Sequence, residues 1–542
     1  MAAVAFRLGQ RVHAAGDPAR VGTVRYLGPV DGHPGDWLGV DWDAGAGGRH
    51  DGSLAGRRYF VAAGERSASF ARPTALSAGI TLPDAIRNRY RVEEFTKEEQ
   101  DEMYVFSTSQ KRVSVELVGK NKVEEKLKNL NDLTSASVSY MGVSSIGPGD
   151  ELKNLVPNLR QLDLTGNLLS QWQVCTSRDY HYAKGCMLFI TMDIFSLCEA
   201  LASLEILDLT NNTMENDFTD SSSVKNIRVL VLNYCGVTWE LVEKIKVSFS
   251  CLSELHLMTN RIKAMMTPVG NIVQGFDTLR LLNLEDNHID SWDEIVKLSY
   301  LRSLEQLHLN KNMLKHVTYP SNPPPLGSLG DAAVLPFEKL RVLLLGSNQI
   351  DEVLSVDSLN LFPSLTLWLS TPILISTFLK DVRLSDNPVA DPAKGGVPRF
   401  VLIARLGKVK ILNGSEISPR ERREAEIRYV RLVMGKAESY DPEEIKRLHP
   451  RFAELKAFHG IEDEKPSSRT SGPQKMASGL ISNNVGKLKS LCESFFKLKD
   501  VKLRLYLEEE GCPMPQFFEE DTVSLMELGI GTGSTIIVDE ES

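Results

Sequence analysis

The sequence lacks most of the features that would announce a function directly. It holds seven cysteines, at 175, 186, 198, 235, 251, 492 and 512, an odd number with no C-x-x-C pair. That disfavours a disulfide framework or a zinc knuckle and fits a reducing cytosol. The opening stretch MAAVAFRLGQ is interrupted by Arg7 and Gln10, so no secretory signal is expected. Long apolar runs are missing too. The longest uncharged stretch, Ser358–Leu379, carries Asn360, Pro363 and Pro372 among many Ser and Thr, which argues against a membrane span. Positive charge is short: the net charge is −9, the wrong sign for a chain whose main task is gripping nucleic acid. There is no G-x-x-x-x-G-K-[ST], H-E-x-x-H or G-x-S-x-G motif and no sustained heptad pattern. The expectation is an interaction protein rather than an enzyme, with no cofactor and no metal site. At 542 residues the chain needs several modules.

What is present begins with glycine. Residues 1–76 contain 13 of the 39 glycines and short β-type runs such as RVGTVRYLG (20–28) and DWLGVDW (36–42), which predict a small, turn-rich β domain. Four motifs follow in order: Trp37-Leu-Gly39-Val40-Asp-Trp42, Gly48-Arg49-His50-Asp51-Gly52-Ser53, Gly56-Arg-Arg-Tyr59-Phe60 and Ser69-Phe70-Ala-Arg72-Pro73. Over residues 6–75 this resembles a CAP-Gly domain, with GRHDG where that family carries GKNDG. The resemblance implies a small β barrel-like fold whose groove takes the acidic, aromatic-ended C-terminal tail of α-tubulin. The matching candidates for tail binding are Trp37, Arg49, His50, Gly52, Ser53 and Phe70. Residues 6–75 hold nine Arg, no Lys and seven acids, a mildly basic balance that suits an acidic tail. Trp37 is as readily a core residue as a ligand contact.

Next comes a repeat. L-x-x-L-x-L-x-x-N-x-L, or a close variant, starts at Leu159, Leu204, Ile227, Leu252, Leu279, Leu304, Leu340 and Leu379. It resembles a leucine-rich-repeat solenoid, in which each L-x-L is a short inward-facing strand and the Asn satisfies backbone groups at the turn. One repeat cannot bury its apolar edge alone, so these Leu and Asn positions are structural. The copy at Ile227 places Cys235 in the Asn slot. Strand alternation puts His256, Asn283, Glu285, His308 and Asn310 on the concave face as candidate partner-binding residues. His256 and His308 lie two strands apart, roughly 10 Å, too far to share a metal. Successive starts from Leu204 fall 23, 25, 27 and 25 residues apart, but 159 to 204 is 45 and 340 to 379 is 39. Removing Val174–Met192 or Thr366–Leu379 restores the period, so both segments are expected to be insertions foreign to the ancestral repeat.

Ser418-Pro419-Arg-Glu421 reads as a capping box opening a charged helix, and Asp441-Pro-Glu-Glu444 as the start of a second that runs to about Gly460. Together they form a helical cap over the last repeat. Residues 463–484, rich in Ser, Gly, Lys and Pro, read as a flexible linker. Then a helical pattern from Val485 precedes an alternating strand at Val501–Leu507, a turn, and a last strand at Ser534–Val538. This order resembles the second half of a ubiquitin-like fold without its first hairpin. Gly529-x-Gly531-x-Gly533 reads as a turn, and the end Asp539-Glu-Glu-Ser lacks the Gly-Gly of a conjugated modifier.

The expected architecture is therefore multidomain. A CAP-Gly domain spans 1–77, and a linker with the N-terminal repeat cap spans 78–150. Leucine-rich repeats cover 151–415, a helical cap 416–462, a linker 463–484 and a ubiquitin-like α+β domain 485–542. That order resembles the tubulin-folding cofactor E family. The resemblance implies a cytoplasmic, cytoskeleton-associated chaperone that binds α-tubulin and assists αβ-tubulin assembly and dissociation, with β-tubulin and other tubulin-folding cofactors as partners. Neither nucleic acid nor membrane is expected as a partner. Two other readings stay open: a microtubule plus-end adaptor, and a scaffold linked to ubiquitin or the proteasome.

Overall fold

The computed structural model describes residues 6–43, 47–90, 104–106, 112–114, 129–172, 194–215, 223–265, 272–320, 335–362, 379–437, 441–461, 484–496, 503–508, 516–518, 520–525, 527–528, 530 and 535–540. The chain forms two compact units, Met1–Leu314 with Pro320–Asn348, and Lys315–Tyr319 with Gln349–Ser542.

The first unit opens with a five-stranded antiparallel sheet. Its order is Ala68–Ala71, His33–Trp42, Asp17–Val30, Arg11–Ala14, Leu76–Ser77. The long second and third strands wrap around Val12, Val24, Leu38, Val40, Trp42 and Leu76, all buried. Trp42 is thus the core tryptophan, and Trp37 is only half-buried outside that cluster. The helix Leu82–Tyr90 follows, burying Leu82, Ala85 and Ile86. Tyr90 accepts the Ser137 N–H through its hydroxyl at 2.8 Å, so the described part of the cap is tied to the first strand of the array.

Parallel three-residue strands then stack in register: Ser135–Ser137, Gln161–Asp163, Ile206–Asp208, Val229–Val231, Glu254–His256, Leu281–Asn283, Gln306–His308 and Val342–Leu344. The first of these lies one step before the first repeat recognised in the sequence. Each middle residue from Leu162 to Leu343 is at most 1% exposed, because the pleat turns that position into the core. The expected insertion 174–192 lies outside the described residues, yet Gln161–Asp163 pairs directly with Ile206–Asp208 across it.

The asparagines form a ladder behind the strands. Asn212 donates through Nδ2 to the carbonyls of Leu209 (2.9 Å) and Leu164 (3.0 Å), and its Oδ1 accepts the Leu169 N–H. Asn260, Asn287, Asn312 and Asn348 repeat the pattern. Cys235 breaks it. Its thiol still donates to the Leu209 carbonyl at 3.1 Å, but it has no side-chain oxygen for the preceding repeat. The Met214 N–H turns instead to the Cys235 backbone carbonyl at 3.2 Å. Burial pushes the Cys235 thiol up to about 12, so it is an inert donor.

In the second unit, Asp381–Arg383 pairs with Ile411–Leu412, which returns as Ser415–Glu416. The helix Pro419–Ala437 packs Tyr429, Val430 and Val433 against Val401, Ala404 and Leu455. Its capping box is half-formed: the Ser418 hydroxyl accepts the Glu421 N–H at 3.1 Å, but Glu421 pairs with Arg399 at 2.9 Å. The single helix expected up to Gly460 is two, Pro442–Leu448 and Phe452–Phe458. Pro450 explains the break, since it lacks an N–H and forces His449 out of helical geometry. The C-terminal module carries the helix Val485–Phe496 and an antiparallel sheet ordered Gln516–Phe517, Leu503–Glu508, Thr535–Glu540. Its core is Val485, Leu488, Leu505, Leu507, Phe518 and Leu525. The linker expected at 463–484 (Asn484 aside), the Gly529–Gly533 turn (Ile530 aside) and the second expected insertion (Leu379 aside) lie outside the described residues, as does any hairpin preceding Val485 within 462–483. Among the described residues, no helix is long and apolar enough to cross a membrane.

Candidate functional site

Three adjacent strands line up Tyr26, Gly39 and Phe70 in one row, since Gly39 pairs with both neighbours. The missing side chain of Gly39 makes the site. A Cβ there would overlap the Phe60 ring, so glycine lets Phe60 approach the sheet closely. Phe60 then packs edge-on to Phe70 at 5.8 Å, and Tyr26 and Tyr59 close around Phe70 at 6.1 and 5.3 Å. Tyr26 and Tyr59 also meet edge-to-face at 5.3 Å. His50 completes the cluster, tilted 31° against Phe70 at 5.0 Å. Edge-to-face packing of this kind satisfies the ring quadrupoles and holds a rigid aromatic wall.

The GRHDG loop is fitted to this wall by its glycines. Gly48 lies against the Arg66–Ala68 backbone, and Gly52, at φ +94, lies under the Phe60 carbonyl. A side chain at either position would displace main chain. The Gly52 N–H donates to His50 Nδ1 at 3.0 Å, and the Ser53 N–H to Asp51 at 3.0 Å. Those Ser53 hydrogen bonds hold the Asp51 carboxyl below its usual range. Burial, partly opposed by Asp51, lowers the His50 pKa. A neutral His50 accepting at Nδ1 has its proton on Nε2 and remains a donor.

Of the sequence candidates, the structure brings His50, Gly52, Ser53 and Phe70 together. Arg49 stands beside them, exposed, with no side-chain partner among the described residues. The neighbouring cations are engaged: Arg58 with Asp51, Arg57 with Asp31. Trp37 lies two residues from Gly39 on the same strand face. Arg72 stacks 3.8 Å above its ring, and His33 packs beside it. Tyr26, Tyr59, Phe60 and Arg72 were not among the candidates. Tyr59, Phe60 and Arg72 stood in the quoted motifs, but Tyr26 needs cross-strand register to be found.

On the concave face, His256, Asn283 and His308 fall on successive strands in one row. Asn283 and Asn310 are 6% and 7% exposed. Their oxygens accept the N–H groups of Glu285 and Gly346, at 3.0 and 2.8 Å, so their side chains are committed to the turns. Glu285 accepts from Asn310 and faces Lys311. Burial first, and then the neighbouring His256, lower the His308 pKa.

Fold and site together define a multidomain protein in which a glycine-loop β domain with an aromatic groove precedes a leucine-rich-repeat solenoid. Comparison with known proteins agrees. The CAP-Gly domain family matches residues 8–76. Tubulin-folding cofactor E of Arabidopsis thaliana is 46% identical, over 99% of this chain and 98% of its own. Tubulin-specific chaperone E of Danio rerio is 32% identical, over 84% and 80% of the two chains. The chain belongs to the tubulin-folding cofactor E family. Among solved structures, an internalin C2 of Listeria monocytogenes aligns over 62% of this chain and 92% of its own with 18% identity and a TM-score of 0.28. That superposition is too loose to add to the repeat sheet seen directly.

Proposed function

We propose that this chain is a tubulin-folding chaperone, and that it holds α-tubulin at two places. Its relatives are named for that activity. The observation that carries the finer reading is the aromatic wall of Tyr26, Tyr59, Phe60 and Phe70 beside an exposed, unpaired Arg49. A tail ending in an aromatic residue would lay its ring against Phe70 and Tyr26, and its carboxylates would meet Arg49 and the His50 Nε2–H. The body of α-tubulin would rest on the concave face near His256, Glu285 and His308. Two modest contacts in one chain reinforce each other through effective concentration. Assembly and dissociation of the αβ dimer would then proceed with β-tubulin and other tubulin-folding cofactors, in the cytoplasm and at the cytoskeleton. This chain needs no cofactor for that role, nor catalysis of its own.

A second reading has one observation in its favour. The C-terminal helix followed by three antiparallel strands, with the long central strand between the short one and the last, is the arrangement expected of a ubiquitin-like half. It supports a further link to ubiquitin or the proteasome.

The test is binding of the full chain to αβ-tubulin with and without the last aromatic residue of the α tail. Loss of that residue, or Phe70→Ala, is expected to weaken binding roughly tenfold, the scale of one buried aromatic contact. Equal affinity for intact and shortened tubulin would remove the groove from the mechanism.

A further inference from the structure

Within the first unit, a cleft of about 630 Å³ separates the N-terminal sheet from the turns that follow three consecutive repeat strands. None of Arg49, His50, Phe60 or Phe70 lines it, so it is distinct from the aromatic groove. Arg25 and Arg66 stand on the sheet side, and Tyr234 and Arg261 on the repeat side. The two acids that line it are already engaged. Asp43 pairs with Arg11 through two hydrogen bonds. Asp41 accepts the Ser67 hydroxyl at 2.5 Å and the Ala63 N–H at 3.0 Å. Arg25, Arg66 and Arg261 are exposed and have no side-chain partner among the described residues. The cleft is therefore left with three exposed guanidinium groups that no side chain among the described residues neutralises, in a chain whose net charge is −9.

The repeat side is built by a recurring backbone device. Asn211, Tyr234 and Thr259 hold equivalent turn positions in left-handed geometry, with φ of 58, 56 and 58. That conformation is unfavourable for a bulky side chain, yet Tyr234 occupies it and is 49% exposed.

We propose that this cleft is a second binding site, for an extended acidic polypeptide segment. The segment's carboxylates pair with Arg25, Arg66 and Arg261, and its backbone lies against Tyr234. Arginine's planar fork matches a carboxylate at two points. Thr213 adds a hydroxyl of the kind that pairs with a peptide backbone, while Asn211 and Thr259 already donate to Tyr140 and Asp286. The net charge of −9 works against the many phosphate contacts that nucleic-acid binding needs. Carboxylates on alternate residues of an extended chain sit about 6.5–7 Å apart on one face, so one segment presents several to the cleft.

The test uses the full chain and an unlabelled octaglutamate peptide, which has no aromatic end for the groove, with isothermal titration calorimetry as the readout. Arg25→Gln, Arg66→Gln and Arg261→Gln combined are expected to raise Kd roughly tenfold or more, because each removes a charge-assisted contact. Lys394→Gln, in the second unit, is expected to leave Kd unchanged. The three arginines hold no partner, so matching thermal midpoints are expected for the triple variant and the parent chain. Arg261→Gln alone, with a smaller rise, serves if the triple variant unfolds. An unchanged Kd in the folded variants overturns the proposal. So does tighter binding of decathymidylate that is lost in the same variants, which would assign the cleft to nucleic acid.

Discussion

Replacing Asn260 with alanine tests the energetics of the repeat ladder directly. Asn260 is 7% exposed. Its Nδ2 donates to the carbonyl of Leu232 at 2.8 Å and of Met258 at 3.2 Å. Its Oδ1 accepts the Cys235 and Val237 N–H groups at 2.9 and 3.0 Å. Cys235 and Val237 are each 1% exposed, so water cannot replace the lost acceptor. Alanine leaves two buried N–H groups and one buried carbonyl short of a partner. At roughly 1–3 kcal/mol for each orphaned group, and with partial relaxation, the cost is about 3–6 kcal/mol. Urea denaturation of the full chain would report it, read by hydrogen exchange at residues 232–260 so that the first unit is followed by itself. A loss below about 1 kcal/mol would refute the reasoning, because it would mean that the ladder amides find other acceptors at no cost. Cys235→Asn is the matching gain. It restores a side-chain oxygen where the Met214 N–H now uses the Cys235 carbonyl, and protection at Met214 is expected to rise.

Other outcomes follow from single features. Gly39→Ala places a Cβ against the Phe60 ring; the ring must shift, and tubulin-tail binding in a pull-down is expected to fall while the repeats stay folded. The lowered pKa of His50 carries a definite sign. The unfolded chain takes up the proton first, so stability present above the unfolded value near 6.5 is lost as pH falls below it. Protonation also removes the Nδ1 acceptor used by the Gly52 N–H. The N-terminal domain should therefore lose melting temperature between pH 7 and 5, and His50→Gln should flatten that dependence. Arg405, 4% exposed, pairs with Asp357 at 2.6 Å and donates to the Leu448 carbonyl at 2.7 Å. Arg405→Ala leaves Asp357 buried without its counter-charge and is expected to cost about 3–5 kcal/mol in the second unit, measured by urea denaturation.

The periodic parts of the molecule were legible in the sequence. Each of the eight repeats recognised from Leu159 to Leu379 has its strand, and the Asn slots hold the buried ladder. A short period repeated many times leaves one way to bury the leucines and satisfy the turns, so local pattern suffices. The GRHDG glycines were legible for a similar reason, since only glycine fits against main chain at Gly48 and Gly52. Local pattern failed where partners lie far apart in the chain. Asn310 alternates onto the concave face, yet its oxygen is committed to the Gly346 N–H of the next repeat. Glu421 completes a capping box on paper, but Arg399 competes for it with a full charge. Tyr26 joins Phe70 only because two strands pair on either side of Gly39. The cleft arginines converge from residues 25, 66 and 261. The sequence alone determined which elements form and which of their positions face inward, because those are set by neighbours within a few residues. The tertiary structure alone decided which side chains remain free to bind, because a charge or amide is spent or spared by partners that only folding brings near.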